Sequence, residues 1–449
     1  MKKRILSVLV ASAVLFTMVF SIAGCGSNGE SAASTTATTT VQSTEATATE
    51  NAPAEKVTIK MWAQTGTQEA WSKWFKQKVE STYPEITLDI SNVPGDNLGI
   101  AKLTTTLGTA DAPDIIATWS YVTIIPPLAK AGKLLNLSEF YAANRLENSF
   151  PKSVDVVKID NKPYILPFHG LSSPVIYYNK TIFNNLGLNV PKTETDLLDV
   201  SAKLRAGGYQ PLAIGLKDQW QCSHMMEGLI PRIAGEDKHH KVELGSSQGQ
   251  TADVKWNDAD LVAAFSKVKE LNDKKVFIDN VLGVDFAAAK ATFTQGKAGM
   301  IHSLSVEYPG LKAAMPDDEM GYFYWPTFNS NPSKANGIDS DCYVVNAGTK
   351  YKAQVYKVLA LLIGDESLAE ISKSGMFPSK TDVDPTKVIT DPLMQSMYQN
   401  KADGYEFGES LMNQDIINAR NAAVQDVLAG KKTPQQAADA LEKIAAGVR

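Results

Sequence analysis

The feature that most constrains the fold is an alternation of strand and helix patterns near the start of the chain. The strand patterns are short and apolar, and the helix patterns repeat apolar residues at three- and four-residue spacing. The five segments are, in order, Val57–Trp62, Glu69–Ser81, Ile86–Ile90, Leu98–Leu107 and Asp114–Thr118. Strand, helix, strand, helix, strand in this order predicts an α/β layer around a mostly parallel sheet.

Parallel sheets bind ligands beyond the carboxyl ends of their strands. Gln64 follows the first predicted strand, and Trp119, Ser120 and Tyr121 follow the third. These four residues are therefore predicted ligand-binding positions. Trp71 lies at helical spacing and is predicted to pack in the core instead.

The segment Lys162–Lys180 divides the chain. Two short strand patterns, Tyr164–Leu166 and Val175–Tyr178, flank an insert, Pro167–Pro174, that contains two prolines and a glycine. A single continuous strand is disfavoured by these residues. Two interpretations remain: a bent strand within one domain, or a crossover from one lobe to another at which the lobes hinge.

A second α/β layer follows this segment. Leu197–Leu204 is a predicted helix with Thr193 and Asp196 placed as a capping box. Two residues that follow its predicted strands, Trp220 and Ser303, are candidate ligand contacts. Trp325, the last residue of the predicted strand Gly321–Trp325, is a third. The remaining predicted elements are Pro211–Leu216, Asp258–Asn272, Asp285–Gln295, Lys297–His302, Gly321–Trp325, Ile338–Val345, Tyr351–Ile363, Ser367–Ser374, Glu409–Ala429 and Pro434–Ala446.

Composition excludes several function classes. The chain has 44 basic and 49 acidic residues among 449, and its net charge is −5, so no basic surface for nucleic acid is indicated. The five histidines and three cysteines indicate neither a metal site nor a cofactor. His239 and His240 lie among charged residues and are predicted to form a solvated turn. Cys222 and Cys342 are either buried free thiols or a disulfide pair.

The N-terminus predicts secretion. Lys2, Lys3 and Arg4 precede the apolar run Ile5–Phe20, which is shorter than a membrane span needs, and small residues then lead to Cys25. Ile22-Ala23-Gly24-Cys25 resembles the lipobox of bacterial lipoproteins, which implies cleavage before Cys25 and lipidation of its thiol. Residues 1–24 are then a signal peptide. Residues 25–54, rich in Ser, Thr and Ala, are then a lipidated and disordered tether.

A secreted carbohydrate-active enzyme is the competing class. Glycoside hydrolysis requires two carboxyl groups at a fixed separation, and no short motif marks such a pair. The sequence contains no Gly-x-Ser-x-Gly elbow, no His-Glu-x-x-His helix and no phosphate-binding glycine loop. We therefore predict a binding protein rather than an enzyme.

Several motifs, in one order along the chain, resemble those of periplasmic-type substrate-binding proteins of the sugar-binding family that includes maltose-binding protein. The segments that carry the resemblance are Thr109–Ile116, Ala131–Leu137, Asn161–Pro167, Tyr177–Lys180, Phe293–Met300, Ser374–Pro378 and Val427–Lys431. Asn161 stands where the family usually has glycine. The resemblance extends from about Val57 to the C-terminus.

The resemblance implies an α/β, two-lobed periplasmic-binding-protein fold of type II-like form, with a hinge and a ligand cleft at the lobe interface. It places residues 55–170 plus 341–400 in the N-terminal lobe and residues 171–340 plus 401–449 in the C-terminal lobe. Further crossovers are expected near Gly337–Tyr343 and Lys401–Phe407. The implied protein is a monomer on the extracytoplasmic face of the cell membrane, anchored through the lipid on Cys25. It delivers a carbohydrate to an ABC permease with a cytoplasmic ATPase.

A sugar presents one apolar face and a rim of hydroxyls, which suit aromatic planes and polar side chains respectively. The polar candidates beyond those named above are His169, Asp218, Gln219, Asp339 and Asp341. Two departures from the family put the identity of the sugar in doubt. Trp119-Ser120-Tyr121 occupies the place of a frequent acidic residue, and Ser303-Leu304-Ser305 that of a frequent tryptophan. A non-sugar solute, such as a peptide, polyamine or anion, is the alternative ligand.

Overall fold

The computed structural model describes residues 55–65, 68–172, 174–246, 253–315, 320–328, 337–400, 405–406 and 408–449. The predicted signal peptide, Cys25 and the tether lie outside these residues. The described chain contains two β-sheets with helices packed on them, as predicted.

Ten strands form the two sheets. They are β1 (Val57–Gln64), β2 (Ile86–Val93), β3 (Ile115–Trp119), β4 (Leu166–Ser172), β5 (Pro174–Asn179), β6 (Gln210–Ala213), β7 (Ala298–Leu304), β8 (Met320–Phe323), β9 (Gly337–Val345) and β10 (Tyr405–Glu406). The first sheet has the order β10-β9-β3-β1-β2, and β4 also pairs with β9. The second has the order β6-β7-β5-β8. We call each sheet with its helices the first lobe and the second lobe.

The helices in chain order are α1 (Glu69–Thr82), α2 (Ile100–Thr106), α3 (Ile125–Lys130), α4 (Ser138–Asn144), α5 (Lys180–Asn185), α6 (Glu194–Ala206), α7 (Gln219–Ile233), α8 (Glu236–Leu244), α9 (Ala259–Asp273), α10 (Phe286–Thr294), α11 (Tyr308–Ala314), α12 (Lys352–Leu362), α13 (Asp365–Ser372), α14 (Pro385–Val388), α15 (Pro392–Asn400), α16 (Gly408–Leu411), α17 (Gln414–Leu428) and α18 (Pro434–Val448). Within the described part of the chain, none of these helices has the length and hydropathy of a membrane span.

The predicted βαβαβ start of the chain is confirmed. β1 pairs in parallel with both β2 and β3, and α1 packs on this sheet through Trp71, Phe75 and Val79. The Trp71 and Phe75 rings stack with centroids 4.7 Å apart, so Trp71 is a core residue as predicted. The 3-10 turn Gly95–Leu98 precedes α2, which makes the second helix shorter than its sequence pattern indicated.

The first crossover lies where the sequence indicated a break. β4 pairs with β9 in the first sheet, and β5 pairs with β7 and β8 in the second, so the chain changes sheet between Ser172 and Pro174. The predicted irregular insert is itself strand β4, which contradicts the sequence interpretation. β4 has two register shifts, one on each side of His169, and these bulges accommodate Pro167 and Gly170 within a strand.

The other two changes of sheet differ in detail from their predicted places. The chain returns to the first sheet between Phe323 and Gly337, because Gly337–Val345 is already strand β9. β10 still belongs to the first sheet, whereas α17 packs against α7 and α9 in the second lobe. Residues 401–404 and 407, near the third predicted crossover, lie outside the described residues.

Two parts of the second lobe were predicted wrongly. The single helix expected over Glu409–Ala429 is two helices, α16 and α17, because Asn413 caps α17 by accepting a hydrogen bond from the Asp415 backbone N–H. Helix α7 was not predicted at all. It is buried from Gln221 to Arg232 without interruption, so it lacks the polar face that makes a helix pattern visible.

Candidate functional site

The predicted residues of the first lobe meet at one edge of its sheet. β1 and β3 are parallel neighbours, so their last residues, Gln64 and Trp119, lie at the same edge of the sheet. The Cβ position of Gly95 lies 3.6 Å from Gln64 Nε2 and 3.8 Å from Trp119 Cζ2. The Trp119 and Tyr121 rings stack, with centroids 5.8 Å apart and planes 20° apart. Ser120, between them, is buried. The result is a half-buried aromatic surface beside an amide.

Strand pairing adds a carboxyl group to this surface. Trp119 on β3 lies directly opposite Asp341 on β9, and Asp341 lies directly opposite His169 on β4. Directly opposed residues of an antiparallel pair point to the same face of a sheet. Trp119, Asp341 and His169 therefore form one row on one face. β9 reaches this position only after the chain has passed through the second lobe.

His169 belongs to a buried hydrogen-bond network. Its Nε2 lies 2.6 Å from the Gln68 side-chain amide nitrogen, and its Nδ1 lies 3.5 Å from Asp341 Oδ2. Gln68 Oε1 accepts hydrogen bonds from the Tyr343 hydroxyl and the Gln64 backbone N–H. Burial lowers the pKa of His169 to about 3, so the ring is neutral and accepts from Gln68 through Nε2. His169 thus lies beneath the surface, next to Asp341.

Asp341 is partly accessible, like Trp119, since its side chain is 18% exposed, whereas that of His169 is buried. Burial raises the pKa of its carboxyl to about 7. Near neutral pH this carboxyl can therefore either donate or accept a hydrogen bond. Asp339, the other acidic candidate on β9, pairs its backbone with Ser172, and its side chain lies outside the described residues.

In the second lobe, Trp220 lies in the first turn of α7 and is half-buried. Its ring meets the rings of His224 and Phe286 edge-on, each at a centroid distance of 5.0 Å. Asp218 precedes α7 and accepts a hydrogen bond from the Phe286 backbone N–H, which fixes α10 beside it. Trp220 is therefore held in place by aromatic contacts with part of its surface accessible.

Ser303 and Trp325 are more deeply placed than the sequence indicated. Both are buried, and Trp325 packs on α7, where the Cβ position of Gly228 would lie 2.1 Å from its Cδ1. The Trp325 carbonyl accepts from Arg232 Nε at 2.6 Å. Among the described residues, four buried polar atoms of this region have no hydrogen-bond partner: Gln221 Nε2, His302 Nε2, Ser303 Oγ and Trp325 Nε1.

A buried ionic network lies behind this region, and it contradicts the prediction for His239. That residue lies on α8, fully buried, with Nε2 2.8 Å from Glu243 Oε1. Arg420 Nη1 on α17 donates to Glu227 and Glu243 at 2.9 Å each. Glu227, His239 and Glu243 offer atoms within 4.8 Å of one another, the geometry of a cation site, but the Arg420 guanidinium already supplies positive charge there. We call these four residues the Arg420 network.

The cysteine alternatives are resolved. Cys222 and Cys342 are both buried free thiols. Burial raises the pKa of the Cys222 thiol to about 12, which makes it unreactive.

A groove of about 550 Å³ lies elsewhere, between α11 and the α13–α15 region. Its lining includes Tyr308, Lys312 and Asp391, and none of the predicted site residues. The Lys312 and Asp391 side chains form an ion pair at 2.7 Å there. The groove is therefore separate from the aromatic surfaces described above.

The sequence and the architecture match a known family. The model of bacterial extracellular solute-binding proteins matches residues 63–369. The chain belongs to this family. Its members are binding proteins that act outside the cytoplasm, which agrees with the sequence resemblance and with the two-lobed fold.

Individual members of the family are distant from this solute-binding protein. A multiple sugar-binding protein of Streptococcus mutans is 25% identical over 68% of this chain and 70% of its own length. An sn-glycerol-3-phosphate-binding periplasmic protein of Shigella flexneri is 29% identical over 65% of this chain and 69% of its own length. A solved chitin oligosaccharide-binding protein superimposes with a TM-score of 0.74 at 22% identity, covering 87% of this chain and 98% of that one.

Several residues of the candidate site were not predicted as ligand contacts: Gln68, Gln221, Phe286 and His302. Gln68 lies at the start of α1 without a distinguishing motif, and Gln221 lies in the unpredicted helix α7.

Proposed function

We propose that this solute-binding protein captures a carbohydrate between its lobes and delivers it to an ABC permease, without catalysis. The observation that carries the proposal is the row of Trp119, Asp341 and His169 with Tyr121 stacked beside it. It combines an aromatic plane for a sugar face with a carboxyl group for the hydroxyl rim. Trp220 offers a second aromatic plane from the other lobe. Closure at the sheet changes would bring both planes to one solute.

The charge of the site favours a neutral solute over an anion. Asp341 is acidic, and the described residues of the site include neither lysine nor a half-exposed arginine. Arg232 is buried against the Trp325 carbonyl, and Arg205 bonds the backbone of residues 275 and 277 on the surface. A phosphate ligand such as that of the Shigella relative would require cationic partners. We therefore propose a neutral mono- or oligosaccharide.

Replacement of Trp119 or Trp220 by alanine is expected to weaken sugar binding while the fold survives. Loss of roughly 60–100 Å² of buried apolar contact costs about 1.5–2.5 kcal/mol. That corresponds to about a 10- to 70-fold increase in Kd. The measurement is calorimetric titration with the sugars that raise the melting temperature of the wild-type protein, since a ligand bound only by the native state must raise it.

Trp74→Ala is the matched control, because Trp74 is also half-buried but lies on α1 outside the site. It should leave the sugar affinity within twofold of wild type. If both Trp119→Ala and Trp220→Ala bind sugar as tightly as wild type, the proposed site is wrong. If sn-glycerol 3-phosphate raises the melting temperature and none of the sugars does, the ligand is a phosphate ester and the proposal of a neutral sugar is wrong.

We further propose that residues 1–24 are a signal peptide and that Cys25 carries a lipid anchor, with the mature protein a monomer at the outer face of the cell membrane. The Ile22-Ala23-Gly24-Cys25 sequence supports this proposal. Cys25→Ala is expected to abolish labelling by a radioactive fatty acid in cells and to leave the precursor uncleaved at this position. Cys222→Ala is the control, since that thiol is buried. Equal labelling of the Cys25→Ala variant and wild type would exclude the anchor.

A further inference from the structure

The third change of lobe brings an acidic residue to the aromatic surface of the site. Glu409 lies in α16, between β10 of the first sheet and α17 of the second lobe. Its side chain is half-buried. Burial is the main influence on the pKa of its carboxyl and raises it, while hydrogen bonds with the Ser223 and Tyr121 side chains lower it. The carbonyl of the next residue, Ser410, accepts from the Val122 backbone N–H, so Glu409 lies next to the loop that carries Tyr121.

Of Tyr121 and Ser223, Tyr121 leads to the proposed binding site and Ser223 to the Arg420 network. The Tyr121 ring is the one that stacks on Trp119. Ser223 on α7 is fully buried, and its hydroxyl accepts from Arg420 Nη2 and donates to Asn421 Oδ1, each at 2.9 Å. Glu409 thus lies beside the aromatic plane of the first lobe, where the Arg420 network begins.

The backbone on both sides of Glu409 is fixed to the two lobes. The Ser410 carbonyl accepts a hydrogen bond from the Val122 backbone N–H at 3.0 Å, which attaches α16 to the first lobe. The Gly408 backbone N–H donates to Glu227 Oε2 at 3.2 Å, which attaches it to the Arg420 network. Gly408 has no room for a side chain, since its Cβ position lies 2.0 Å from Glu243 Oε1. These contacts fix the backbone of α16 on both sides of Glu409.

We propose that Glu409 is a specificity-determining residue that accepts hydrogen bonds from the hydroxyls of a neutral sugar and repels anionic ones. This inference rests on the proposed function. Trp119-Ser120-Tyr121 leaves the loop after β3 without an acidic residue, and Glu409 brings a carboxyl group to Tyr121 from the other end of the chain. A carboxylate accepts two or more hydroxyl hydrogen bonds, which suits the rim of a sugar ring. The same charge opposes a uronic acid.

The test compares neutral and anionic sugars on purified wild type and variants. The probes are maltotriose, raffinose, xylotriose and chitotriose as neutral sugars, and trigalacturonate as the anionic one. Glu409→Gln is expected to weaken the neutral sugar that wild type binds by about 10- to 100-fold, the effect of losing a hydrogen bond to a charged group. It should also lower the ratio of the affinity for the neutral sugar to the affinity for trigalacturonate. Glu147→Gln is the matched control on the exposed surface and should change neither value.

Glu409→Asp distinguishes the effect of the charge from that of side-chain length. It also keeps the test decisive if the Gln variant does not fold. It retains the charge, so it should still reject trigalacturonate while binding the neutral sugar more weakly. Two results would overturn the inference: a Glu409→Gln affinity for the neutral sugar within twofold of wild type, or a loss of affinity with an unchanged ratio of neutral to anionic binding. Wild type that binds none of the neutral sugars would overturn the proposed function itself, and the inference with it.

Discussion

Arg420→Met is expected to lower the free energy of unfolding by about 3–5 kcal/mol at pH 8, the usual cost of removing one partner from a buried ion pair. Arg420, Glu227 and Glu243 are all fully buried. Arg420 also donates to Ser223 Oγ at 2.9 Å. Methionine fills similar space but leaves both carboxyl groups without a counter-charge. The measurement is urea unfolding followed by tryptophan fluorescence, and Trp256 in the second lobe is a buried reporter.

The loss should shrink as the pH falls. Burial raises the pKa of Glu227 and of Glu243 to about 7, so both carboxyls take up protons in the folded state when the pH drops below that value. A neutral carboxyl no longer requires Arg420. At pH 5 the variant is therefore expected to lose less stability than at pH 8. A variant that also carries Glu227→Gln and Glu243→Gln should recover part of the loss at pH 8.

Arg145→Met is the matched control, because Arg145 is exposed on the first lobe. It should change the free energy of unfolding by no more than about 0.5 kcal/mol. A loss below about 1 kcal/mol for Arg420→Met at pH 8 would show that the Arg420 network does not stabilise the second lobe as its geometry indicates.

The parts of the fold that were predictable depend on local patterns. The capping box of Thr193 and Asp196 is present at α6, with the Thr193 side chain accepting from the Asp196 backbone N–H. β1 and β3 end beside one another because the βαβ order requires parallel neighbours, so Gln64 and Trp119 could be placed together from sequence. The two prolines and the glycine of Pro167–Pro174 indicated a break in this part of the chain. Each of these features depends on residues that lie close to it in the sequence.

The site could be predicted only in part, because local sequence patterns do not determine the register between strands that lie far apart in the sequence. Asp341 reaches Trp119 through the pairing of β9 with β3, and those residues are more than two hundred positions apart. A shift of one residue in that pairing would turn Asp341 to the other face of the sheet. Glu409 meets Tyr121 by a still longer return of the chain. The sequence placed these residues as candidates or near a crossover, without their partners.

His239 shows how a distant partner overrides local context. Lys238 and Lys241 ion-pair with exposed acids, which gives the segment the composition of a solvated turn. On helix α8, however, His239 and Glu243 are four residues apart and share the inner face. Arg420, far along the chain, neutralises the acids on that face. The burial of His239 therefore depends on a residue that no local pattern connects to it.

The stability of the protein is expected to fall steeply below about pH 4.5. His169, His224, His239 and His302 are all buried, and burial lowers their pKa values to about 3, 3, 4 and 3 respectively. In the unfolded chain a histidine has a pKa of about 6.5. Because these folded pKa values are depressed, the unfolded state binds more protons below pH 6.5, and stability falls as the pH falls toward 3–4.

The titration of three buried acids opposes this loss of stability over part of the pH range. Burial raises the pKa of Asp341, Glu227 and Glu243 to about 7, so the folded state binds more protons than the unfolded state between about pH 4.5 and 7. Their contribution rises as the pH falls and is complete below about pH 4.5. Between about pH 5 and 6.5 the three acids therefore offset three of the four histidines, which leaves a fall in stability of about 1.4 kcal/mol per pH unit. Below pH 4.5 only the histidine contribution still changes among these seven groups.

Each such histidine contributes a slope of about 1.4 kcal/mol per pH unit, so four of them give about 5 kcal/mol per unit just below pH 4.5. Urea unfolding at pH 7, 5.5, 4.5 and 3.5 should show a shallow fall in the free energy of unfolding followed by this steeper drop. His302→Gln should reduce the slope below pH 4.5 by about one quarter, because a neutral amide replaces a ring that must stay neutral in the core. His240→Gln, half-buried next to His239, is the matched control. A free energy of unfolding that stays constant down to pH 3.5 would mean that these rings accept protons inside the folded protein.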